Sequence, residues 1–404
     1  MIIVITNRKL PEIPNDQPIS IAVSALGSIL GDRVDDEDII HTGMLSRDEN
    51  KIKFYPKGHE GDMFSAISQD DRKKPWVFFV HGFNQTPLDN IDKARALSAY
   101  HGVNVVAFAW PSRPLNEAMD WDDAWKNIIT GLLSGLSGSA ILVGLAKLKA
   151  KSFLKDKWKN YPPAIKNAEE SNVDLLAALE LVKSQLKSDK PPVLLVHSMG
   201  NYLLEKTMGN INELPMKFSN IILHQADATS PGYTWVKKLN SNLDLSLDNP
   251  AKAYITINAP DYVLGASTMR RAILRKTSKE RIGQIRFNHL DCGFNYLDFT
   301  DGEWVDNEHE FFQLPKDKTN DHVYECLHRI FKGKSDELPV RERESNVGFT
   351  RIPTKNSKIS LYRLEYIIHP ADDELDNYTS LQDYDSQQGS DNNDLNDPDT
   401  IGDD

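Results

Sequence analysis

The sequence predicts an α/β fold, a mostly parallel β-sheet with helices on both faces, and three observations carry that expectation. Trp76–Val80, Val103–Trp110 and Val193–Val196 are almost wholly apolar runs of strand-forming residues. Such runs suit strands buried on both faces of a parallel sheet. Helical patterns lie between them, over about 88–100 and 165–188. Turn residues close the strands, with Gly82 after the first and Pro111 after the second. Strand and helix alternating at this rhythm give right-handed crossovers and a sheet covered on both sides.

Each element has its own local reason. Ile2–Thr6 is a short apolar run with no basic segment before it, so it reads as a first strand rather than a signal peptide. Pro11, Pro14 and Pro18 mark loops, and Lys51–Tyr55 alternates in the manner of a half-buried strand. The helix over 88–100 stops at Gly102. In 165–188, Ile165, Ala168, Leu175, Leu176, Leu179, Val182 and Leu186 recur at helical spacing, and Pro191-Pro192 ends the stretch. A helix opens at Asn201–Met208. Ile221–Leu223 and Tyr254–Ile257 are short strands, and Arg281–Leu290 and Lys358–Ile367 are further strand candidates.

Charge becomes informative once it is located. The 404 residues carry a formal net charge of −12, and residues 371–404 hold twelve acids with no Lys or Arg. Residues 1–370 therefore balance to about zero, and no basic surplus favours nucleic acid. The expectation is one domain over 1–370 and an acidic, disordered tail over 371–404. Two cysteines, Cys292 and Cys326, are too few for a disulfide scaffold and fit a cytoplasmic, reducing location.

Chemistry concentrates at strand ends. Ser198 lies in Val193-Leu-Leu-Val-His-Ser-Met-Gly-Asn201, directly after a buried strand and before a helix. A tight strand-to-helix turn exposes a nucleophilic oxygen on a rigid support. Gly200 is two residues after the Ser, while Val196 stands two before it, where such turns commonly have Gly. His81-Gly82-Phe83-Asn84 follows an earlier strand. Its Phe83 amide, with that of Met199, is placed to hold the negative charge that acyl transfer builds on a carbonyl oxygen.

These motifs, with Ala109-Trp-Pro-Ser112, resemble the α/β-hydrolase superfamily, and within it a bacterial subgroup of α/β hydrolases of unknown function. The resemblance spans roughly 75–330. It implies that fold, hydrolysis of an ester or amide, and a triad in the chain order Ser, acid, His.

The acid is expected after a later strand. Asp261 is preferred and Asp227 is the alternative. For the base, His322 in Lys318-Thr-Asn-Asp-His-Val-Tyr324 is preferred, with His289 and His309 as alternatives. His41, His59, His101, His328 and His369 read as structural, and His81 and His197 flank the site. The expected catalytic set is thus Ser198, Asp261 and His322, with Phe83 and Met199 as oxyanion donors.

Residues 112–160 interrupt the strand–helix rhythm. Asn127–Ala146 has no charged residue over twenty positions. As a helix it would span about 30 Å. It reads as part of an inserted cap over the site, which implies a substrate with an apolar part and peripheral membrane contact; a buried hairpin and a transmembrane helix are the alternatives. No zinc-ligand spacing, phosphate-cradling Gly loop, dinucleotide fingerprint or calcium loop is present, so no cofactor or metal is expected. The function read from the sequence is a serine esterase of lipase-like kind acting on a small-molecule or lipid ester. The rivals are a non-catalytic binding protein on the same fold and a lipase-like effector acting on membranes.

Overall fold

The computed structural model describes residues 1–113, apart from 11–12, 14–16, 32–33, 35–39 and 47–48. It further describes 151–228, 234–259, 261, 263–264, 267, 281–284, 293–300, 305, 309–314, 321–334, 347–352 and 361–366. The chain divides into a unit Met1–Tyr366 and a unit Ile367–Asp404. The second, which holds the acidic tail, lies outside the described residues, as do 114–150 with most of the expected cap.

The elements, in chain order, are β1 (Ile2–Thr6), β2 (Ile19–Ala22), α1 (Leu26–Ile29), β3 (His41–Leu45), β4 (Lys51–Tyr55), α2 (Glu60–Ser65), α3 (Gln69–Lys73) and β5 (Trp76–Val80). Then come α4 (Pro87–His101), β6 (Asn104–Phe108), α5 (Lys151–Glu170), α6 (Asn172–Gln185), β7 (Val193–His197), α7 (Gly200–Asn210) and β8 (Asn220–His224). The last are α8 (Thr234–Lys238), β9 (Lys252–Ile257), β10 (Asn295–Asp298), α9 (Asp321–Phe331), β11 (Val347–Ile352) and β12 (Leu361–Tyr366).

The described strands form a single sheet in the order β11-β12-β10-β9-β8-β7-β5-β6-β1-β3-β4-β2. From β12 to β1 all neighbours run parallel, and antiparallel strands complete both edges. The chain moves from β5 outward to β6, then returns to place β7 on the other side of β5. This reversal makes the carboxyl ends of β5 and β7 a topological switch point, where open α/β sheets form their ligand crevice.

The central strands send alternate side chains to opposite faces. Phe78, Val80, Leu194, Val196, Ile221 and Leu223 pack with Ala164, Ala168, Leu175, Leu179, Val182 and Leu203 of α5, α6 and α7. Val77, Phe79, Val193, Leu195 and Ile222 pack with Ile91, Ala94 and Leu97 of α4 and Val323, Leu327 and Ile330 of α9. Both faces are covered, which is why the strands read as unbroken apolar runs.

Two local expectations change. The helix expected over 165–188 is two helices parted at Ser171, whose buried Oγ accepts a hydrogen bond from Asn7 Nδ2 at 2.8 Å. The first of them reaches back to Lys151, into the stretch assigned to the cap. Arg281–Leu290 does not open as a strand: Ile282–Gln284 is a turn of 3₁₀ helix, and 285–290 lie outside the described residues.

Candidate active site

Ser198 sits where β7 gives way to α7, with φ of +52°, a left-handed conformation uncommon for a side chain larger than Gly. Holding a residue there costs roughly 1–3 kcal/mol, so the surroundings must impose it. They do so with hydrogen bonds, of which four tie the turn to its neighbours. The Ser198 amide donates to His224 O at 3.0 Å, and Ser198 O accepts from the Asp227 amide at 3.1 Å. Asn201 Nδ2 donates to Val196 O at 2.9 Å and to Ser198 O at 3.1 Å.

Two glycines let the neighbouring turn close on this elbow. A Cβ on Gly82 would stand 2.6 Å from Ser198 Cβ and 3.2 Å from Ser198 Oγ. A Cβ on Gly200 would stand 2.7 Å from His81 O and 2.9 Å from Val80 O. Val196, where the first glycine is absent, is buried in β7 in register with Val80. The small residue is needed across the crevice, at Gly82.

The turn after β5 is set by the other strand-end motif. Asn84 takes φ of +60°, and its amide donates to Ser112 O at 3.2 Å. The Gln85 amide donates to Ser112 Oγ at 3.0 Å. Trp110 Nε1 donates to His81 O at 2.9 Å, and the two rings stack with centroids 5.5 Å apart. Arg8, fully buried at the end of β1, donates to Gln85 O and Trp110 O at 3.1 Å each. A capping box of Thr86 and Asp89 then starts α4. Among the described residues, neither the Phe83 nor the Met199 amide hydrogen has an acceptor.

Asp261 lies past β9, where the sequence places the acid. Its Oδ1 accepts from the amides of Val263 and Leu264 at 2.9 and 3.1 Å. Its Oδ2 accepts from Nδ1–H of His309 at 2.5 Å. The carboxylate thereby fixes the His309 tautomer, and Nε2 is buried without a partner. The His309 ring lies 4.7 Å, centroid to centroid, from that of His197, the residue before Ser198.

Of the candidate bases, it is the alternative His309, not the preferred His322, that the structure brings to Asp261. His322 lies in the first turn of α9. There the hydroxyl of Tyr324 donates to Tyr100 O at 2.5 Å, and its ring stacks on His101, the last residue of α4. With fifteen residues, α4 carries that contact about 20 Å from the switch point, where the helix begins. His289 lies outside the described residues.

Asp227 is near the site but committed elsewhere. Its Oδ1 pairs with Nε of buried Arg281 at 3.0 Å and accepts from Ser267 Oγ at 2.7 Å. Its Oδ2 accepts from the Tyr161 hydroxyl at 3.2 Å, and Tyr161 packs edge-on against Phe83 at 5.3 Å.

Burial sets the charge states. It lowers the pKa of His81 and of His197 to about 3, and that of His224 well below the ordinary value, so all three are neutral at pH 7. Burial pulls His309 the same way, but Asp261, Glu310 and Asp227 more than reverse it and raise its pKa above the ordinary value. In its neutral form, a histidine held by a carboxylate at one nitrogen and packed on the residue before a strained serine is suited to accept a hydroxyl proton. Among the described residues, no group of three or more His, Cys, Asp or Glu side chains is arranged to hold a metal ion. No described helix is long and apolar enough to cross a membrane, and Asn127–Ala146 lies outside the described residues.

A parallel sheet with helices on both faces, and a strained serine on the strand-to-helix turn at its switch point, define an α/β hydrolase. Residues 58–303 match the family described as alpha/beta hydrolase of unknown function (DUF900). The match covers more than half of the chain, which therefore belongs to that family. No curated protein and no solved structure matches it.

His309 is hard to single out in the sequence because Asn307-Glu-His-Glu310 is charged and looks solvated. The signal against that was Phe311-Phe312 immediately after it. Both rings are buried, against His224 and His197, and they tie the charged stretch to the core. Lys93, Tyr161 and Arg281 had no local signal, since each is a polar residue buried by partners distant in sequence.

Proposed function

We propose that the protein is a serine hydrolase that cleaves carboxylic esters through Ser198, with His309 as general base, Asp261 as its orienting acid, and the amides of Phe83 and Met199 as oxyanion donors. The observation that supports this reading is the His309–Asp261 hydrogen bond, with the His309 ring 4.7 Å from that of His197, the residue before a serine in a left-handed elbow. His309 Nε2 takes the Ser198 hydroxyl proton as Oγ attacks the ester carbonyl. The carbonyl oxygen becomes an oxyanion between the two amides. As the tetrahedral species collapses, the ester C–O bond breaks and the alcohol leaves with the proton from His309. Water, deprotonated by the same nitrogen, then releases the acid from the acyl-enzyme. The uncharged run Asn127–Ala146 supports an ester with an apolar acyl part, from a small molecule or a lipid.

Labelling with a fluorophosphonate tests the reading, with the modified residue mapped by peptide mass. Wild type labelled at Ser198, and Ser198→Ala and His309→Ala unlabelled, is the expected result. Folded wild type that stays unlabelled from pH 6 to 9 would instead mean a binding protein on a hydrolase fold.

A further inference from the structure

Glu310 follows His309 directly and is gripped from several directions. Its Oε1 forms an ion pair with Lys93 Nζ of α4 and accepts from Gln85 Nε2 at 3.3 Å. His197 Nε2, at the end of β7, lies 3.6 Å from the same oxygen. Its Oε2 accepts from Gln313 Nε2 at 2.9 Å. Lys93 is the unusual member: its side chain is only 8% exposed, within a helix face otherwise packed by Ile91, Ala94 and Leu97. A buried ammonium is costly without a partner, and the partner here is the residue next to His309.

The same place needs an anchor. Asp261 holds the His309 ring at one nitrogen, which fixes its tautomer but does little to stop the backbone from shifting. A displacement of about 1 Å at a reacting group can cost 10²-fold in rate. Glu310 supplies the second constraint, because its partners sit on α4, on the turn after β5 and on β7, the elements that meet at the switch point.

We propose that Glu310 and Lys93 form a positioning pair that locks the segment bearing His309 against α4 and β7, so that its imidazole stays between Asp261 and Ser198. This rests on the reading of Ser198, His309 and Asp261 as the triad. The pair touches neither substrate nor reacting atoms; it acts through His309. The charged and titratable groups facing His309 are Asp261, Glu310 and Asp227, with His197 and His224 beside it and Lys93 behind Glu310. Glu310 is among those that raise the His309 pKa. Its loss therefore lowers both the rate and the pH at which His309 becomes neutral. A counter-ion serving only to stabilise Lys93 would move the acidic limb through its charge but would leave the plateau rate unchanged in the folded protein.

The test follows fluorophosphonate labelling rates from pH 5 to 9 for wild type, Glu310→Gln, Lys93→Met, Gln313→Ala and His309→Ala, with thermal unfolding as the check of folding. The pair predicts a plateau rate at least about tenfold lower in Glu310→Gln and Lys93→Met, with the acidic limb of Glu310→Gln moved to lower pH. Gln313→Ala, at a half-buried position that leaves the ion pair intact, should fold and still lose about threefold. Folded variants labelling within twofold of wild type on the plateau would overturn the proposal. If both charge variants fail to fold, an unchanged rate in Gln313→Ala overturns it. Wild type that is unlabelled, or His309→Ala labelled as fast as wild type, overturns the triad reading itself and the pair with it.

Discussion

His309 Nδ1 lies 2.5 Å from Asp261 Oδ2, joining two residues 48 positions apart at the mouth of the sheet. That contact separates the two candidate bases experimentally. His309→Ala should lower kcat/KM on a short-chain aryl ester by about 10³–10⁴. His322→Ala, in the helix seated at the far end of α4, should stay within about threefold of wild type. Steady-state kinetics on both variants decides the point, and the reverse pattern would return the role to His322.

Replacing Asp227 or Asp261 should give opposite phenotypes. Asp261→Asn removes the acceptor that fixes the His309 tautomer, and should cost about 10⁴ in kcat with little change in unfolding temperature. Asp227→Asn leaves Arg281 buried without its counter-charge, and should cost about 3–5 kcal/mol of stability. Chemical denaturation beside kinetics reads both. A stable, inactive Asp227→Asn would mean that Asp227 belongs to the reaction.

The two glycines of the elbow differ in what they protect. Gly200→Ala sets a methyl against two backbone carbonyls, at 2.7 and 2.9 Å, that belong to β5 and its turn. It should destabilise the fold by about 1–3 kcal/mol. Gly82→Ala sets its methyl against Ser198 itself and should depress labelling by about 10²-fold or more in protein that still folds. Unfolding temperature and labelling rate, measured on the same samples, separate the effects.

Acid should destabilise the protein at mildly low pH. His81 and His197, with pKa lowered to about 3, and His101, lowered to about 4, all by burial, are neutral when folded. The unfolded chain takes up protons below its ordinary histidine pKa of about 6.5, so each group loses about 1.4 kcal/mol of stability per pH unit below that value until its folded pKa is reached. His309, raised when folded, works in the opposite sense, but only between about 6.5 and its folded pKa, so it adds no slope below that range. Unfolding temperature should therefore fall clearly between pH 7 and 5. A flat profile would show that these imidazoles are not buried in neutral form.

What the sequence made legible follows from range. Strands β5, β7, β8 and β9 announce themselves because burial on both faces makes their centres apolar. Ser198, Gly82 and Asp261 sit at the ends of those strands, so their positions follow from local pattern. His309 does not: it comes from a loop whose position depends on Glu310, Phe311 and Phe312 meeting elements more than 80 residues earlier. Strands β2, β3, β10 and β11 carry no such signal: β2, β3 and β11 are edge or near-edge strands with short or mixed sequences, and β10 is only four residues with a polar residue at each end.

Arg8 reaches from the end of β1 to the carbonyls of Gln85 and Trp110, while the His309 segment arrives after residue 303. The stretch matched to the family, 58–303, contains neither. A gene fragment trimmed to those limits would express a sheet without its N-terminal strands, the turn after β5 cut from its Arg8 tether, and Ser198 without its proposed base. A recombinant form meant for screening substrates should therefore begin at the first strand and run past Phe312, so that the proposed base and the Arg8 tether are both present.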